Sequence, residues 1–373
     1  MSKVLIIDDD PSVRILLKKI LQRSSFAVLE HDRGTGIENV ISNGKPDLVL
    51  LDLILPDING LHVLRTLNKN PDTKNLPIIV LTGSSDKDNR IKALQYGAVD
   101  YITKPFLPEE VLLRVNTQLK MHNLINSLQE AVSDLKMDIE AAAGIQRALV
   151  PVSIPGQTKP EISWLYEPSY KVGGDIFDYI ELGDERKLVY IVDVAGHGVN
   201  ASMLSVMVHR FIEDYINSHL SFDLSDFMKE LEANFKFERF ELFITIVVLV
   251  IDYGRNKIHL ANAGVPVPIF IRNGVAKYIG FPHESLVGID LIKGEVNSMD
   301  FDEGDKIFLY SDGLTELRGK NDGTFGDSRL KKFVEEHRSN HVEDIVEELK
   351  DYLENYRKHE YYEDDITFIA INL

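Results

Sequence analysis

The sequence predicts an α/β domain with a doubly wound parallel sheet, joined by a long helix to a second domain. The chain has 373 residues, of which 44% are hydrophobic, and this exceeds one typical domain while sufficing for two cores. Near the N-terminus, short apolar runs alternate with segments of helical periodicity such as Val13, Leu16, Leu17 and Ile20. From Pro108 the chain continues for about forty residues without proline, which favours one long helix.

The composition excludes several classes of site and partner. Cysteine is absent, so disulfides and thiolate metal sites are excluded, and a metal would need carboxylates or histidines. Oxygen ligands favour hard cations. The formal net charge of −18 at pH 7, with no basic stripe to reverse it locally, disfavours nucleic acid and anionic membrane as partners. Since the N-terminus has no leader pattern and no apolar run spans about 18 residues, we expect a cytoplasmic protein.

Polar side chains follow four apolar runs of the first segment. In chain order they are Asp8 and Asp9, Asp52, Thr82, and Lys104. Because ligands of a doubly wound sheet lie at the carboxyl ends of its strands, these side chains should converge at one edge. Three carboxylates in one place are costly unless a divalent cation neutralises them, and Mg²⁺ is the natural occupant.

This combination of side chains suits phosphoryl transfer. Asp52 could attack a phosphoryl donor, Lys104 could pair with the new phosphate, and the Thr82 hydroxyl could hydrogen-bond one of its oxygens. The simpler interpretation is that Asp8–Asp10 cap the first helix and that Lys104-Pro105 is an ordinary loop. Each feature alone favours the simpler interpretation, whereas their joint order favours phosphoryl transfer.

The segment up to about residue 120 resembles the receiver domain of two-component response regulators. The matching stretches are Leu5-Ile-Ile-Asp-Asp-Asp10, Asp52-Leu-Ile-Leu-Pro-Asp-Ile-Asn-Gly60, Leu81-Thr-Gly83 and Lys104-Pro-Phe106. The resemblance implies a five-stranded parallel sheet, Asp52 as phosphoacceptor, Thr82 and Lys104 as the switch pair, and a sensor histidine kinase as partner. The Mg²⁺ ligands that it implies are Asp8, Asp9, Asp52 and the carbonyl of Ile54. Tyr101 stands where the family often has an aromatic residue that reorients on activation, although an ordinary strand tyrosine is equally compatible.

The long helix carries a heptad pattern. Its apolar residues alternate spacings of four and three, and they are Met121, Ile125, Leu128, Val132, Leu135, Ile139 and Ala142. A seam of this length needs a partner helix, and a second copy of the chain is the simplest one, so we expect a coiled-coil homodimer. The alternative is an amphipathic helix packed on its own domain. Gly144, near the end of the seam, would mark a bend or hinge.

Acidic residues also stand out after residue 150. Asp175 follows two glycines, Asp193 and Asp312 each follow an apolar run, and Asp364 precedes the last apolar run. Small neighbours and strand ends allow such carboxylates to approach one another. Two hard cations about 3.5–4 Å apart could share a water there and clamp a phosphate for hydrolysis without a protein nucleophile. Each motif alone is equally compatible with ordinary turn chemistry.

Together these motifs resemble the bacterial branch of the PPM family of metal-dependent serine/threonine phosphatases, in the group that regulates sporulation and stress sigma factors. The matching stretches are Ile145-Gln-Arg-Ala-Leu-Val-Pro151, Val172-Gly-Gly-Asp-Ile-Phe-Asp-Tyr179, Asp193-Val-Ala-Gly-His-Gly198, Asn262-Ala-Gly-Val-Pro-Val-Pro268, Tyr310-Ser-Asp-Gly-Leu-Thr-Glu316 and Asp364-Asp-Ile-Thr367. The resemblance implies an α+β domain, a β-sandwich flanked by helices, over residues 151–373. It would follow a receiver domain over residues 1–120 and a helical linker over residues 121–150.

The resemblance also implies a site with two Mn²⁺ or Mg²⁺ ions, bridged by Asp193. The metal ligands that it carries over to this sequence are Asp175, Asp193, the carbonyl of Val194, Asp312 and Asp364. Asp365 and Asp178 are expected to support the site at most, and His197 is expected to be structural or to lie near the metal ligands.

One position departs from the family pattern, because Val265 stands where members usually have histidine. This removes no expected metal ligand, but a substrate contact of that histidine is in doubt. Since all four acidic positions remain, we expect a working enzyme whose substrate is a phosphorylated anti-anti-sigma-type protein and whose activity depends on Asp52 phosphorylation. The alternative is a catalytically silent adaptor that uses the phosphatase fold to bind a sigma-factor regulator. A DNA-binding regulator is disfavoured because no basic recognition helix is present.

Overall fold

The chain divides into two compact units, Met1–Asp134 and Leu135–Leu373. The structure is a computed structural model that describes residues 1–83, 87–151, 161–183, 185–219, 221–279, 284–320, 323–359 and 361–373. The division between the units falls inside one continuous helix, so the domain boundaries near residues 120 and 150 stay predictions.

Strands and helices alternate in the first unit. They are β1 (Lys3–Ile7), α1 (Pro11–Arg23), β2 (Ala27–His31), α2 (Ile37–Gly44), β3 (Leu48–Asp52), α3 (Gly60–Lys69), β4 (Ile78–Gly83), α4 (Lys87–Gln95), β5 (Asp100–Lys104) and α5 (Pro108–Leu149), which extends into the second unit. The five strands form one parallel sheet in the order β2-β1-β3-β4-β5. The predicted doubly wound sheet is confirmed.

The central strands β1, β3 and β4 of the first unit are buried on both faces, which explains why they are continuous apolar runs. Successive residues of β3 illustrate this: Leu48 and Leu50 pack in one core layer, whereas Val49 and Leu51 pack in the other. Helix α1 begins with a proline, and the Asp10 side chain caps it by accepting a hydrogen bond from the Ser12 N–H at 2.8 Å.

Helix α5 is continuous from Pro108 to Leu149, and Gly144 does not interrupt it. The predicted seam residues from Met121 to Leu135 are exposed, so this part of the helix does not pack on its own unit. Ile139 and Ala142, further along the seam, are half-buried. Among the described residues, no helix combines the length and the apolar character that crossing a membrane requires.

The second unit contains two sheets and several helices. Its elements are β6 (Glu161–Glu167), β7 (Ile176–Gly183), β8 (Arg186–Val194), α6 (Val199–Ser218), α7 (Leu224–Asn234), α8 (Phe237–Phe240), β9 (Ile244–Asp252), β10 (Lys257–Ala263), β11 (Ile269–Arg272), β12 (Val275–Tyr278), β13 (Asn297–Asp300), β14 (Lys306–Tyr310), α9 (Asp312–Glu316), α10 (Asp327–Glu336), α11 (Val342–Tyr356) and β15 (Ile366–Asn372). One sheet has the order β13-β10-β9-β8-β7, and the other has the order β12-β11-β14-β15-β6. All pairings within both sheets are antiparallel.

The two sheets of the second unit share one core. On β14, Ile307 and Leu309 pack with residues of β8 and β9, while Phe308 and Tyr310 point the other way and pack with α10 and α11. Helices α6 and α7 cover the outer face of the first sheet. The predicted β-sandwich flanked by helices is confirmed.

Candidate functional sites

The first carboxylate cluster lies at the carboxyl edge of the parallel sheet. Asp8 follows β1 and Asp52 ends β3, and these two strands are neighbours in the sheet. Asp8, Asp9 and Asp52 each offer an oxygen atom, and these atoms all lie within 4.8 Å of one another. Asp10 instead caps α1, so the capping interpretation holds for that residue. The structure thus brings together the three carboxylates that the sequence placed in the receiver site.

Lys104 balances the charge of this cluster. Its Nζ lies 2.7 Å from Asp8 Oδ2 and 2.7 Å from Asp52 Oδ2. Burial raises the pKa of Asp8, and the hydrogen bond from Lys104 offsets this only in part. Burial alone would lower the pKa of Lys104, but its hydrogen bonds to Asp52 and Asp8 outweigh burial and raise it. The lysine therefore stays charged between the two carboxylates.

Thr82 and Ile54 lie at the same edge. Thr82, on β4, is buried, and its hydroxyl donates to the Gly83 carbonyl at 3.2 Å. The Ile54 N–H donates to Asp52 Oδ1 at 3.2 Å, which ties the loop after β3 to the carboxylate. In this arrangement Lys104 contacts Asp52, whereas the hydroxyl of Thr82 bonds the backbone of its own loop.

Tyr101 is half-buried on β5 between two arginines. The guanidinium carbons of Arg90 and Arg114 lie 5.5 and 5.6 Å from its ring centroid. Arg114 also forms an ion pair with Asp100 at 2.8 Å. The ring therefore contacts side chains of both α4 and α5, through interactions that a single sequence does not reveal.

The second carboxylate cluster lies where strands of both sheets end. Asp193 is near the end of β8, Asp175 precedes β7, Asp312 follows β14, and Asp364 precedes β15. The carboxyls of Asp175, Asp312 and Asp364 all lie close enough to Asp193 to interact with it electrostatically. The structure thus places the four acidic residues predicted as metal ligands in one region.

Burial and mutual repulsion raise the pKa values of this cluster. The pKa of Asp193 rises to about 7, chiefly through burial and then through Asp312 and Asp364. Burial, followed by the charge of Asp193, raises the pKa of Asp175 well above its ordinary value. Burial is also the main cause of the raised pKa values of Asp312 and Asp364. Within the described residues, none of the four forms an ion pair with lysine or arginine.

The donor set of the second cluster fits hard divalent cations. All four side chains offer carboxylate oxygens, and their charges are costly without a counter-ion. In the part of the chain that is described, the cluster does not bring three ligand atoms within 4.8 Å of one another, unlike the receiver cluster. A two-ion site spreads its ligands over two centres, which agrees with this wider spacing.

Asp365 holds the backbone that carries Asp175. Its carboxylate accepts hydrogen bonds from the Ser169 N–H at 2.7 Å, the Gly174 N–H at 2.5 Å and the Asp175 N–H at 3.3 Å. A Cβ on Gly174 would lie 2.4 Å from the Val194 carbonyl oxygen, so only glycine permits this approach. Asp365 thus supports the site by holding the backbone of the segment that carries Asp175.

Two threonine hydroxyls orient the carboxylates. Thr367 Oγ1 donates to Asp175 Oδ2 at 2.5 Å, and Thr245 Oγ1 lies 3.2 Å from the Asp193 carbonyl and 3.5 Å from Asp193 Oδ2. Sequence reasoning missed both. Thr367 belongs to a stretch that had been noted for its acidic residues, whereas Thr245 is found only once the pairing of β8 with β9 places it opposite Asp193.

Gln146, near the end of α5, was also missed. It is buried, its Nε2 donates to the Gly173 carbonyl at 2.8 Å, and its Oε1 accepts from the Gly173 N–H at 3.1 Å. This clamp lies two residues before Asp175. A glutamine among the apolar residues of a helix end was the available signal, because a buried amide requires partners.

The structure also places three other residues that the sequence analysis singled out, namely Asp178, His197 and Val265. Asp178 lies opposite Tyr190 in the β7–β8 pairing, and burial raises its pKa to about 6. His197 is exposed, and its charge acts on Asp364. Val265 is buried, and its N–H and carbonyl both bond the side chain of Asn262, at 3.1 and 3.0 Å. A hydrogen-bonded turn thus holds the position that in the family usually carries histidine.

Comparison with known families identifies the second unit. The sequence profile of the family described as Stage II sporulation protein E (SpoIIE) matches residues 183–373, which is more than half of the chain. The chain belongs to the SpoIIE family. The profile of the response regulator receiver domain matches residues 4–116 of this SpoIIE-family chain. The predicted pairing of a receiver with a PPM-type phosphatase domain is therefore confirmed, and both families generally depend on divalent metal ions.

Curated relatives of the SpoIIE-family chain match through the receiver. The phosphate regulon transcriptional regulatory protein PhoB of Pseudomonas aeruginosa is 38% identical over 117 residues, which are 31% of this chain and 51% of that protein. The response regulator ArlR of Staphylococcus saprophyticus is 40% identical over 121 residues, 32% of this chain and 53% of that protein. The chain thus spans about half the length of these relatives.

Solved structures resemble the second unit. The SiaA-PP2C domain of Pseudomonas aeruginosa has a TM-score of 0.57 and 21% identity, covering 65% of this chain and 98% of that one. The PP2C phosphatase domain of SpoIIE from Bacillus subtilis, with a fragment of its regulatory domain, has a TM-score of 0.50 and 20% identity, covering 58% and 64%. At these identities the likeness shows the fold of the SpoIIE-family domain alone.

Proposed function

We propose that this chain is a response regulator that hydrolyses phosphoserine or phosphothreonine in a partner protein, under the control of Asp52 phosphorylation. The observation that carries the proposal is the convergence of Asp175, Asp193, Asp312 and Asp364, none of which forms an ion pair with a lysine or arginine among the described residues. Acidic residues gathered at such cost point to divalent cations as their natural partners.

In the receiver, Asp8, Asp9, Asp52 and the Ile54 carbonyl would hold Mg²⁺. The Asp52 carboxylate would attack the phosphorus of a phosphohistidine on a sensor histidine kinase, so that the P–N bond breaks, the imidazole leaves and an aspartyl phosphate forms. Lys104, whose Nζ lies 2.7 Å from Asp52 Oδ2, would form an ion pair with the new phosphate on Asp52. The Thr82 hydroxyl would leave the Gly83 carbonyl and donate to a phosphate oxygen, and this exchange would switch the loops at the sheet edge.

In the phosphatase domain, Asp175, Asp193, the Val194 carbonyl, Asp312 and Asp364 would hold two Mn²⁺ or Mg²⁺ ions. When bound, the ions would lower the pKa of a water and stabilise charge on the phosphate. The side chains around the ligands fix their direction: Thr245 contacts Asp193, and Asp365 and Thr367 hold the segment of Asp175.

The proposed substrate is a serine-phosphorylated anti-anti-sigma-type protein. Membership of the SpoIIE family supports this substrate class. Loss of the phosphate would free that protein to bind its anti-sigma kinase, so that phosphorylation of the receiver would set the availability of a sigma factor.

The proposed assembly is a homodimer through α5. Its support is the exposed seam from Met121 to Leu135, which a second copy of the helix would cover in knobs-into-holes packing. A receiver pair at one end of such a coiled coil could bias the domains at the other end.

Phosphate release from a phosphorylated anti-anti-sigma-type domain tests the function directly. The full chain with Mn²⁺ should release phosphate, Asp193→Ala should abolish the release, and acetyl phosphate should change the rate only while Asp52 is intact. The alternative is a silent adaptor, which should bind no divalent cation in its second unit and should release no phosphate under any of these conditions.

A further inference from the structure

An exposed aromatic residue, Phe243, precedes β9 at the strand end where Thr245 pairs with Asp193. The Ala195 N–H donates to the Phe243 carbonyl at 2.9 Å, which continues the β8–β9 ladder one step beyond the pair Val194–Ile244. Because side chains alternate along a strand, Phe243 shares a face with Thr245. Thr245 is the residue whose hydroxyl contacts Asp193. The Phe243 side chain therefore stands on the face that carries the cluster.

The Phe243 ring stacks on a neighbouring ring whose backbone is hydrogen-bonded. Phe243 is 39% exposed and stacks on Phe237, with ring centroids 4.5 Å apart and an interplanar angle of 17°. The Phe237 N–H donates to the Gly288 carbonyl at 3.0 Å, and the Glu241 N–H donates to the Phe237 carbonyl at 2.7 Å. A ring held in this way can contact a ligand with little loss of side-chain entropy.

We propose that Phe243 is a specificity-determining residue whose ring packs against an apolar side chain next to the phosphorylated serine or threonine of the substrate. The inference rests on the proposed function and deepens it. A phosphate held at the cluster would bring the flanking substrate residues over the rim where Phe243 stands. The cluster and the net charge of −18 disfavour acidic flanks, and the exposed face of the uncharged Phe243 ring offers an apolar surface, so an apolar side chain is the contact that this residue favours.

Two matched phosphoserine peptides test this inference, one with leucine and one with glycine on either side of the phosphoserine. The full chain, assayed with Mn²⁺ in the presence and absence of acetyl phosphate, should prefer the leucine peptide by about tenfold in kcat/KM. Phe243→Ala should bring this ratio near one, while hydrolysis of p-nitrophenyl phosphate, which has no flanking residues, stays unchanged. Phe243→Leu, which keeps an apolar side chain, should retain part of the preference.

A matched control separates specificity from general damage. Tyr278 is similarly exposed, at 36%, but lies on the edge strand β12 of the other sheet, so Tyr278→Ala should keep the peptide preference. An unchanged ratio in Phe243→Ala, or equal cleavage of both peptides by the wild type, would overturn the inference and leave the phosphatase function standing. If p-nitrophenyl phosphate and both peptides remain uncleaved by the wild type, the proposed function fails and the inference falls with it.

Discussion

The two carboxylate clusters differ in how their charge is balanced. In the receiver, Lys104 bridges Asp8 and Asp52 at 2.7 Å each, so a basic side chain already compensates part of the charge. In the phosphatase domain the described residues supply no such side chain, and the pKa of Asp193 rises to about 7 through burial and its acidic neighbours. The charge of the receiver site is therefore partly balanced before a cation binds, whereas we propose that the second site relies on bound cations for its charge balance.

The largest effects are expected when one acidic residue is removed from each cluster. These substitutions should separate the role of the receiver cluster from that of the second cluster. Asp193→Ala should lower metal-dependent phosphate release by about 10³-fold, because metal ions stabilise the developing charge by several kcal/mol. Asp52→Asn should keep basal hydrolysis of p-nitrophenyl phosphate and lose only the response to acetyl phosphate. Steady-state kinetics of both variants measures this, and a phosphatase that survives Asp193→Ala would break the comparison.

Asp365 and Asp178 sharpen the comparison, because both were expected to support the site and only the structure distinguishes them. Asp365→Asn removes the carboxylate that accepts hydrogen bonds from Gly174 and Asp175, so activity or Mn²⁺ affinity should fall about 10- to 100-fold. Asp178→Asn changes a buried acid that faces Tyr190 and should leave both within about twofold. Mn²⁺ dependence of phosphate release measures both variants, and equal losses would contradict the assignment of Asp365.

Lys104 should matter for stability as well as for switching. Lys104→Ala leaves Asp8 and Asp52 unpaired and should cost about 2 kcal/mol in the free energy of unfolding. This is less than for a fully buried pair, because the lysine side chain is 27% exposed. Mg²⁺ should restore much of the loss. Denaturant unfolding with and without Mg²⁺ measures this, and Lys18→Ala, which breaks the more exposed pair with Glu30, is the control.

His209 should give the second unit a modest pH dependence. Burial lowers its pKa, and its Nδ1 lies 2.6 Å from the Tyr190 hydroxyl, with Glu213 at 3.9 Å from Nε2 and Arg210 nearby. Because the unfolded chain binds the proton more readily, stability should fall as the pH drops below about 6.5, by at most about 1.4 kcal/mol per pH unit. His209→Gln should flatten this slope, whereas His341→Gln, at an exposed histidine, should not.

The fold was largely readable from the sequence, because the central strands β1, β3 and β4 of the first unit are apolar runs that each end next to a chemically distinctive residue. Asp8, Asp52 and Lys104 follow directly from that pattern and from the rule that such strand ends meet. The four acids of the second unit were also anticipated, through their motifs. Their spacing was not, since it depends on how two antiparallel sheets pack.

Two supporting residues, Thr245 and Gln146, were not predicted, for two physical reasons. Thr245 acts through strand register, and register is set by long-range pairing that local sequence does not encode. Gln146 acts across a gap of 27 residues on the backbone of Gly173, a contact that exists only after the helix end docks. The coiled-coil partner of α5 also stays a prediction, because the seam is exposed in the single chain.

Counting bound Mn²⁺ by titration calorimetry tests the central claim most directly. If the second cluster is a two-ion site, the wild-type chain should bind two more ions than Asp193→Ala, while Asp52→Asn should affect only the receiver ion. Equal stoichiometry for the wild type and Asp193→Ala would contradict the account, because the acids of the second unit would then gather without holding a cation.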